Sequence, residues 1–229
     1  MSARTLVMGD IHGNFKAMMQ CFERCDFDQS KDVLIQLGDV CDRHSDTALV
    51  IETLLSIPSL IALRGNHDPW LAHWLKNNGM KAGWAENGGI STVQSYIDMG
   101  DKIDRSKHLT FLEDVQGDFH IDDHNRLFVH AGYTHPDGPV NEEPSSNCYW
   151  DRSLWTETLD ALKINRAPER TQQFNEIFIG HTPTIKEDTP MQAFNVWNID
   201  TGAGWNGKLT IMDIETKEYW QSDATDKLY

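Results

Sequence analysis

Carboxylate, imidazole and amide side chains recur in short polar motifs along this chain of 229 residues. In the stretch LVMGDIHGNF, Asp10 and His12 lie two residues apart between two glycines. A tight turn would explain this pair, because glycine permits unusual backbone angles and an aspartate can bond back to the main chain. A carboxylate and an imidazole that project from one turn are also suitable ligands for a divalent metal ion. The other motifs of the chain distinguish between these two interpretations.

An apolar run precedes each polar motif, and this arrangement predicts where the motifs lie in the fold. The pairs are Thr5–Met8 with GDIHG, Val33–Leu37 with GDVCDR, Leu60–Leu63 with RGNHD, Leu127–Val129 with HAG, Ile177–Ile179 with GHTP, and Val196–Ile199 with DTGAG. Apolar positions at helical spacing follow the first two motifs, over Phe15–Phe22 and Leu49–Leu55. Strands that alternate with helices predict an α/β fold, in which ligands bind at the carboxyl ends of the strands. The polar stretch Asp101–Asp123 is predicted to form a helix and a loop.

The motifs carry two carboxylates, three imidazoles and one amide, which would converge if the strands are neighbours. These six candidate metal ligands are Asp10, His12, Asp39, Asn66, His130 and His181. One metal ion cannot use all six well, whereas two ions that share a bridging carboxylate can. Two metal ions about 4 Å apart are a common device for displacement at phosphorus. The residue types therefore indicate a dinuclear metal site that acts on phosphate esters.

The motifs GDIHG, GDVCDR, RGNHD, HAG and GHTP resemble, in this order, the signature of the calcineurin-like metallophosphoesterases. The resemblance is to their phosphoprotein phosphatase branch, and it is closest to the small serine/threonine protein phosphatase of phage lambda and its bacterial relatives. It extends from Leu6 to about Ile214 and includes the stretches YWDR, FIGHTP and IDTGAGWNGKLTI. It implies a single metallophosphoesterase domain over residues 1–229, with a central β-sandwich flanked by helices and the site at the carboxyl ends of the strands.

The resemblance also implies how the six candidate ligands divide between two divalent metal ions. The first ion would be held by Asp10, His12 and Asp39. Asp39 would bridge to a second ion, which Asn66, His130 and His181 would complete. Oxygen and nitrogen ligands without thiolate suit manganese, iron or zinc, and we expect manganese to support activity in vitro.

Four further residues match the family's catalytic positions. His67 would donate a proton to the leaving group, and Asp42 would orient His67. Arg43 and Arg152 would bind the phosphoryl group, together with Asn66. A hydroxide between the two metal ions would attack phosphorus in line, so that no phosphoenzyme forms.

Two positions depart from the family pattern. The family motif GDxxDRG ends in glycine, where this chain has His44, and the glutamate of GNHE is replaced by Asp68, which is one methylene shorter. Either the turn after Arg43 differs from that of the family, or His44 approaches the substrate. The shorter Asp68 side chain is expected to alter the orientation of the site.

The composition restricts the partners and the location of the protein. The chain has 35 acidic and 20 basic residues, a formal net charge of −15, and this field repels nucleic acid. No apolar stretch approaches the ~20 residues of a membrane span, so we expect no membrane partner. The four cysteines, Cys21, Cys25, Cys41 and Cys148, form no CxxC pair, and reduced thiols predict a cytoplasmic location.

The sequence thus predicts a metal-dependent phosphomonoesterase. Its expected substrates are phosphoserine and phosphothreonine in proteins or peptides, with phosphotyrosine as an alternative and small phosphate esters in vitro. A second hypothesis is a symmetrical dinucleoside tetraphosphate hydrolase, because those relatives share GDIHG, GHTP and DTG, although they are generally longer. A third is a non-catalytic binding module on the same fold, which the presence of all six candidate ligands, His67 and both arginines disfavours.

Overall fold

A computed structural model describes residues 3–229 of the chain. The described strands are β1 Thr5–Met8, β2 Val33–Gln36, β3 Leu60–Ala62, β4 Phe119–Ile121, β5 Arg126–Val129, β6 Glu176–Ile179, β7 Met191–Ala193, β8 Val196–Asn198, β9 Thr210–Asp213 and β10 Tyr219–Gln221. The described α-helices are α1 Phe15–Arg24, α2 Thr47–Leu55, α3 Asp68–Asn77, α4 Ile90–Met99, α5 Arg105–Thr110 and α6 Ser153–Leu162. No described helix is long and apolar enough to cross a membrane.

The strands form two five-stranded sheets. The first sheet has the order β10-β9-β1-β2-β3, and its central strands β1, β2 and β3 run parallel. The second sheet has the order β4-β5-β6-β8-β7, and β5, β6 and β8 run parallel. Because parallel strands end at the same edge of a sheet, each sheet gathers its predicted motifs at one edge.

The two sheets pack face to face through side chains at alternating strand positions. In β1, Val7 faces the layer between the sheets, whereas its neighbours Leu6 and Met8 pack on the helical side. In β6, Phe178 faces the same middle layer and stacks on Phe128 with ring centroids 5.0 Å apart. The side-chain period of two in a strand produces this division.

Helices cover the outer face of the first sheet. In α1 the buried residues Ala17, Met18, Cys21 and Phe22 recur at the helical spacing seen in the sequence. The helix begins after Asn14, whose side-chain oxygen accepts a hydrogen bond of 2.9 Å from the Ala17 backbone N–H. Helix α6 packs on the outer face of the second sheet, where Leu154 and Trp155 are buried.

The predicted β-sandwich flanked by helices is confirmed, and so are the six predicted strands, with ends that differ by at most one residue. One local prediction was incomplete, since Asp101–Asp123 contains the strand β4 in addition to the helix α5. Strand β4 has only three half-buried residues and exists through its antiparallel pairing with β5. So short a strand carries too few side chains for a period of two to be recognised.

Candidate active site

The turns that carry the predicted site residues have an unusual backbone. His12, Asp39, Asp42, Arg43 and His181 all adopt positive φ, between 50° and 74°. Residues other than glycine adopt positive φ at a cost of order 1–3 kcal/mol each, and such residues concentrate at functional sites. Seven other non-glycine residues between positions 3 and 229 also have positive φ, but these five lie together in the motifs that follow β1, β2 and β6, as expected of a functional site.

The turns after β1 and β2 are docked onto each other by their backbones. The N–H groups of Ile11 and His12 both donate to the Asp39 carbonyl, at 3.1 and 2.9 Å. Gly13 (φ +67°) approaches the other turn so closely that a Cβ atom there would lie 2.6 Å from the His44 carbonyl oxygen. Glycine is thus required at Gly13 for both its backbone angle and its packing.

Asp39 lies at the centre of the predicted metal ligands. Its Oδ2 atom is 3.5 Å from His12 Nε2 and 3.6 Å from His130 Nε2. Asp39, His130 and His181 form one compact group of donor atoms, and Asp39, His12 and His67 form another. Asp39 belongs to both groups, as a bridging ligand would, but the second group contains His67 where the prediction has Asp10.

The ring nitrogens of the histidines are oriented by the backbone. His12 Nδ1 lies 2.9 Å from the Cys41 carbonyl and His130 Nδ1 lies 2.8 Å from the Leu37 carbonyl. Each contact holds a proton on Nδ1 and leaves the Nε2 lone pair free, as metal-binding histidines require. Burial lowers the pKa of His12 to about 3 and also lowers the pKa of His130, so both rings are neutral.

The Nε2 atoms of His130 and His181 have no hydrogen-bond partner of the right kind among the described residues, and a bound cation would satisfy them. His130 Nε2 lies 3.2 Å from Asn66 Oδ1, although a neutral ring with its proton on Nδ1 has no hydrogen to donate there. His181 Nε2 is buried and has no hydrogen-bond partner within residues 3–229. Burial lowers the pKa of His181 to about 2. Divalent ions at these nitrogen and oxygen atoms would satisfy both groups, so the residues present fit the predicted metal site.

Asp10 lies on the other side of the site, among carboxylates. It accepts a hydrogen bond from the His181 backbone N–H at 3.1 Å, and its Oδ1 is 3.9 Å from His130 Nδ1. Burial, and then the charges of Asp200 and Asp39, raise the pKa of Asp10 well above its ordinary value. Burial likewise raises the pKa of Asp200 to about 7. This crowding of acids also favours a bound cation. Asp200 is the first residue of the DTGAG motif, but the sequence had assigned it no role.

His67 and Asp42 form the pair that the family resemblance predicted. His67 Nδ1 lies 2.6 Å from Asp42 Oδ2, and both side chains are buried. Burial alone would lower the pKa of His67, but the charge of Asp39 and the hydrogen bond and charge of Asp42 raise it above 6.5. These contacts favour the protonated form of His67, and its Nε2 atom is available to a second partner.

Two residues that the sequence had not indicated hold Asp42. The Trp84 indole N–H lies 2.9 Å from both Asp42 carboxylate oxygens, and the Thr92 hydroxyl donates to Oδ1 at 2.9 Å. The Asp42 N–H in turn donates to the Thr92 hydroxyl oxygen at 2.8 Å. These residues lie 42 and 50 positions away in segments without a motif, so no local signal could have identified them.

Asp68, which replaces the family glutamate, reaches the turns despite its shorter side chain. Its carboxylate accepts hydrogen bonds from the backbone N–H groups of Asp39, Val40 and Gly65 at 2.8–3.1 Å, and from the Gln116 amide at 2.9 Å. Burial and the charge of Asp39 raise its pKa to about 7. Asp68 therefore connects α3 to the turn that presents Asp39.

The two arginines predicted to bind phosphate lie at the same cavity as the candidate metal ligands. The cavity has a volume of about 280 Å³. It is lined by Asp10, His12, Asp39, Arg43, Asn66, His67, Arg152, His181, Pro183, Ile185, Asp200, Gly204 and Trp205. A larger cavity of about 460 Å³ lies at α2 and α5, lined by Glu52, Lys107 and mainly uncharged side chains. The chemistry is thus concentrated in the smaller cavity, where guanidinium groups can meet a phosphoryl group beside the metal ligands.

Comparisons with known proteins identify relatives over the whole chain. The model of the calcineurin-like phosphoesterase family matches residues 3–205. Serine/threonine-protein phosphatase 1 of Salmonella typhimurium is 26% identical over 220 residues, which cover 91% of each chain. A symmetrical bis(5'-nucleosyl)-tetraphosphatase of Coxiella burnetii is 23% identical and covers 95% of this chain and 92% of that protein. The structure of a protein serine/threonine phosphatase from Saccharomyces cerevisiae has a TM-score of 0.63 at 14% identity, covering 97% of this chain and 80% of that one.

The chain belongs to the calcineurin-like phosphoesterase family, because the family model matches most of its length. The predicted resemblance to the phosphoprotein phosphatase branch is confirmed by the similarity to the Salmonella typhimurium phosphatase. The protein is therefore a phosphatase-type metallophosphoesterase, a hydrolase that acts on phosphate esters.

Proposed function

We propose that this protein is a metal-dependent phosphomonoesterase that removes phosphoryl groups from serine and threonine side chains of proteins. The observation that carries the proposal is the buried His67–Asp42 pair at the edge of the cavity. A serine or threonine alkoxide is a poor leaving group and requires a proton as it departs. A protonated imidazole, held by a carboxylate beside the candidate metal ligands, is suited to supply that proton.

The remaining residues of the cavity have complementary roles in this proposal. Asp10, His12 and Asp39 would hold one divalent ion, and Asp39, Asn66, His130 and His181 the other, with manganese favoured over iron or zinc. The ions, when bound, would activate water for in-line attack and neutralise phosphoryl oxygens. Arg43 and Arg152 would orient the phosphoryl group through N–H donors, with Asn66 beside them. His67 would donate its Nε2 proton to the leaving oxygen, while Asp42 holds the Nδ1–H.

The symmetrical dinucleoside tetraphosphate hydrolases are a second candidate class. The Coxiella burnetii relative supports this candidate, because its similarity covers nearly the full length of both chains. The two activities differ in their leaving groups, since a nucleoside diphosphate leaves as a stable phosphate anion, whereas an alkoxide does not. The phenol that leaves from phosphotyrosine is more acidic than the hydroxyl of serine, so phosphotyrosine depends less on proton donation and would be a secondary substrate.

A substrate panel tests the proposal. The manganese-loaded protein would be assayed on a phosphoserine peptide, a phosphotyrosine peptide, para-nitrophenyl phosphate and diadenosine tetraphosphate. We expect the phosphoserine peptide to have the highest kcat/KM among the biological substrates, and exhaustive chelation to abolish turnover. Preferential cleavage of diadenosine tetraphosphate would assign the protein to the second class, and full activity after chelation would exclude both metal-dependent mechanisms.

We also propose a reducing, cytoplasmic setting for this activity. All four cysteines are free thiols and buried. Burial raises the pKa of each, to about 11 for Cys25 and about 12 for Cys148, so they are protonated and unreactive at neutral pH. Fractionation of the cells that produce the protein would test the location.

A further inference from the structure

The two arginines at the cavity are held in different ways. Arg152 is fixed by hydrogen bonds, because its Nη1 atom donates to the His181 carbonyl at 3.3 Å and to the Thr182 hydroxyl at 3.1 Å. The Arg43 side chain makes no hydrogen bond and no ion pair with any residue from 3 to 229, and its Nε atom is buried without a partner. Arg43 also has positive φ, and hydrogen bonds or ion pairs do not explain what holds its guanidinium in place.

Aromatic and backbone surfaces surround Arg43 in place of hydrogen-bond partners. The Arg43 Cζ atom lies over the Trp205 ring, 4.3 Å from its centroid. Gly88 packs against the aliphatic part of the side chain, so that a Cβ atom at Gly88 would lie 3.1 Å from Arg43 Cδ. Trp205 lines the cavity, and 52% of its surface is exposed to solvent.

The neighbouring residue ties the same two segments together. His44, which stands where the family has glycine, places its Nε2 atom 3.0 Å from the Ala203 carbonyl oxygen. The Tyr229 ring packs beside the His44 ring with centroids 5.1 Å apart. The turn of Arg43 and His44 is thereby joined to the segment of Ala203 and Trp205 at two adjacent points. This arrangement accounts for the departure of His44 from the family pattern.

We propose that Trp205 and His44 are positioning residues for Arg43, and that they aim its guanidinium at the phosphoryl group without using its N–H donors. The inference rests on the proposed role of Arg43 in phosphate binding. Contact with a ring face occupies none of the five guanidinium N–H groups, whereas a carboxylate partner would occupy two of them and offset the positive charge. No acceptor atom in the described part of the chain is then bound to the Arg43 N–H groups, so a phosphoryl group that enters the cavity can accept from them without displacing one.

Orthophosphate binding to the manganese-loaded protein tests the proposal directly. Calorimetry would compare the wild type with Trp205→Leu, Trp205→Phe and His44→Ala, alongside metal analysis and KM for para-nitrophenyl phosphate. We expect Trp205→Leu to weaken phosphate binding about 2- to 30-fold, the range of one cation–π contact, and to raise KM in proportion. Trp205→Phe keeps a ring face and should restore most of the affinity, and His44→Ala should have a smaller effect of the same sign.

Arg43→Ala separates this proposal from the proposed function. In an Arg43→Ala background, Trp205→Leu should have little further effect, because the residue that it positions is gone. Trp150 is a matched control, since it is 48% exposed near the cavity but contacts Trp70 and His181 instead of Arg43. Trp150→Leu and Arg43→Ala should therefore combine additively.

Each remaining outcome overturns one of the two proposals. Unchanged phosphate binding in Arg43→Ala would remove Arg43 from the proposed phosphate site. If Arg43→Ala weakens binding but Trp205→Leu does not, Trp205 does not position Arg43. Equal losses for Trp205→Phe and Trp205→Leu, or equal effects of Trp205→Leu with and without Arg43, would exclude the ring-face contact as the cause.

Discussion

The two ring nitrogens of His67 have different surroundings. Asp42 holds Nδ1 at 2.6 Å, while Nε2 is 3.9 Å from Asp39 Oδ2 and makes no hydrogen bond within residues 3–229. His12 and His130 differ, because backbone carbonyls hold their Nδ1 atoms and burial keeps both rings neutral. The partner at Nδ1 thus distinguishes a candidate proton donor from candidate metal ligands of the same residue type.

We expect His67→Asn to lose about 10²- to 10⁴-fold in kcat on a phosphoserine peptide, the usual contribution of general acid catalysis. The loss on para-nitrophenyl phosphate should be much smaller, because para-nitrophenolate departs without a proton. Steady-state kinetics on both substrates, with metal analysis of each preparation, would measure the difference. Similar losses on both substrates with metals retained would assign His67 to positioning or charge stabilisation instead.

At the scale of elements, the segment between α3 and α4 supports the turn after β2. Trp84 precedes the segment Ala85–Gly89, which is kinked at Gly88, and contributes its indole N–H to Asp42. Thr92 in α4 contributes its hydroxyl. Helix α4 also packs on α2, which begins a few residues beyond Arg43. These contacts fix the carboxylate that holds His67.

Trp84→Phe removes the indole N–H from Asp42 and keeps the aromatic packing. A hydrogen bond to a charged group contributes about 1.5–3 kcal/mol, so we expect kcat on a phosphoserine peptide to fall roughly 10- to 100-fold. Trp74→Phe is the matched control, because Trp74 packs on Trp84 with centroids 6.3 Å apart but does not contact Asp42. Equal losses in the two variants would show that general packing, and not the bond to Asp42, accounts for the effect.

At the scale of the whole molecule, an acidic chain encloses a buried group of carboxylates. Asp10, Asp39, Asp68 and Asp200 are all buried around the cavity. Burial raises the pKa of Asp200 from its ordinary 3.8 to about 7, with a further contribution from the charge of Asp39. Between these two pH values the folded, metal-free chain retains a proton that the unfolded chain has released. Asp200 therefore lowers the free energy of unfolding as the pH rises through this window.

Asp200→Asn should relieve this destabilisation in the metal-free protein. The free energy of unfolding of the variant relative to the wild type should rise from near zero at pH 4 to on the order of 2–4 kcal/mol at pH 8. Urea unfolding at several pH values after exhaustive chelation would measure it, with Asp137→Asn on an exposed loop as a control for the lost charge. Manganese should reduce the gain, because bound cations also compensate the carboxylate. A difference independent of pH would contradict the raised pKa of Asp200.

The sequence by itself determined the parts of this protein that depend on neighbouring residues. Apolar runs placed the central strands, and apolar residues at helical spacing placed α1. The polar motifs after the strands indicated that the six candidate metal ligands would converge. The motifs lie together because parallel strands end at one edge, so residues just beyond several strands are brought together whatever the loops between them do. The same local information identified His67 and Asp42 through the family resemblance.

Only the tertiary structure decided the partners that these residues acquire from distant segments. Trp84 and Thr92 reach Asp42 from 42 and 50 positions away, and Trp205 covers Arg43 from the far end of the chain. The three-residue strand β4 likewise depends on its pairing with β5. The physical reason is that the spacing of apolar residues indicates which face of a helix or strand a side chain occupies. The residue that it contacts depends on the packing of elements that are remote in sequence.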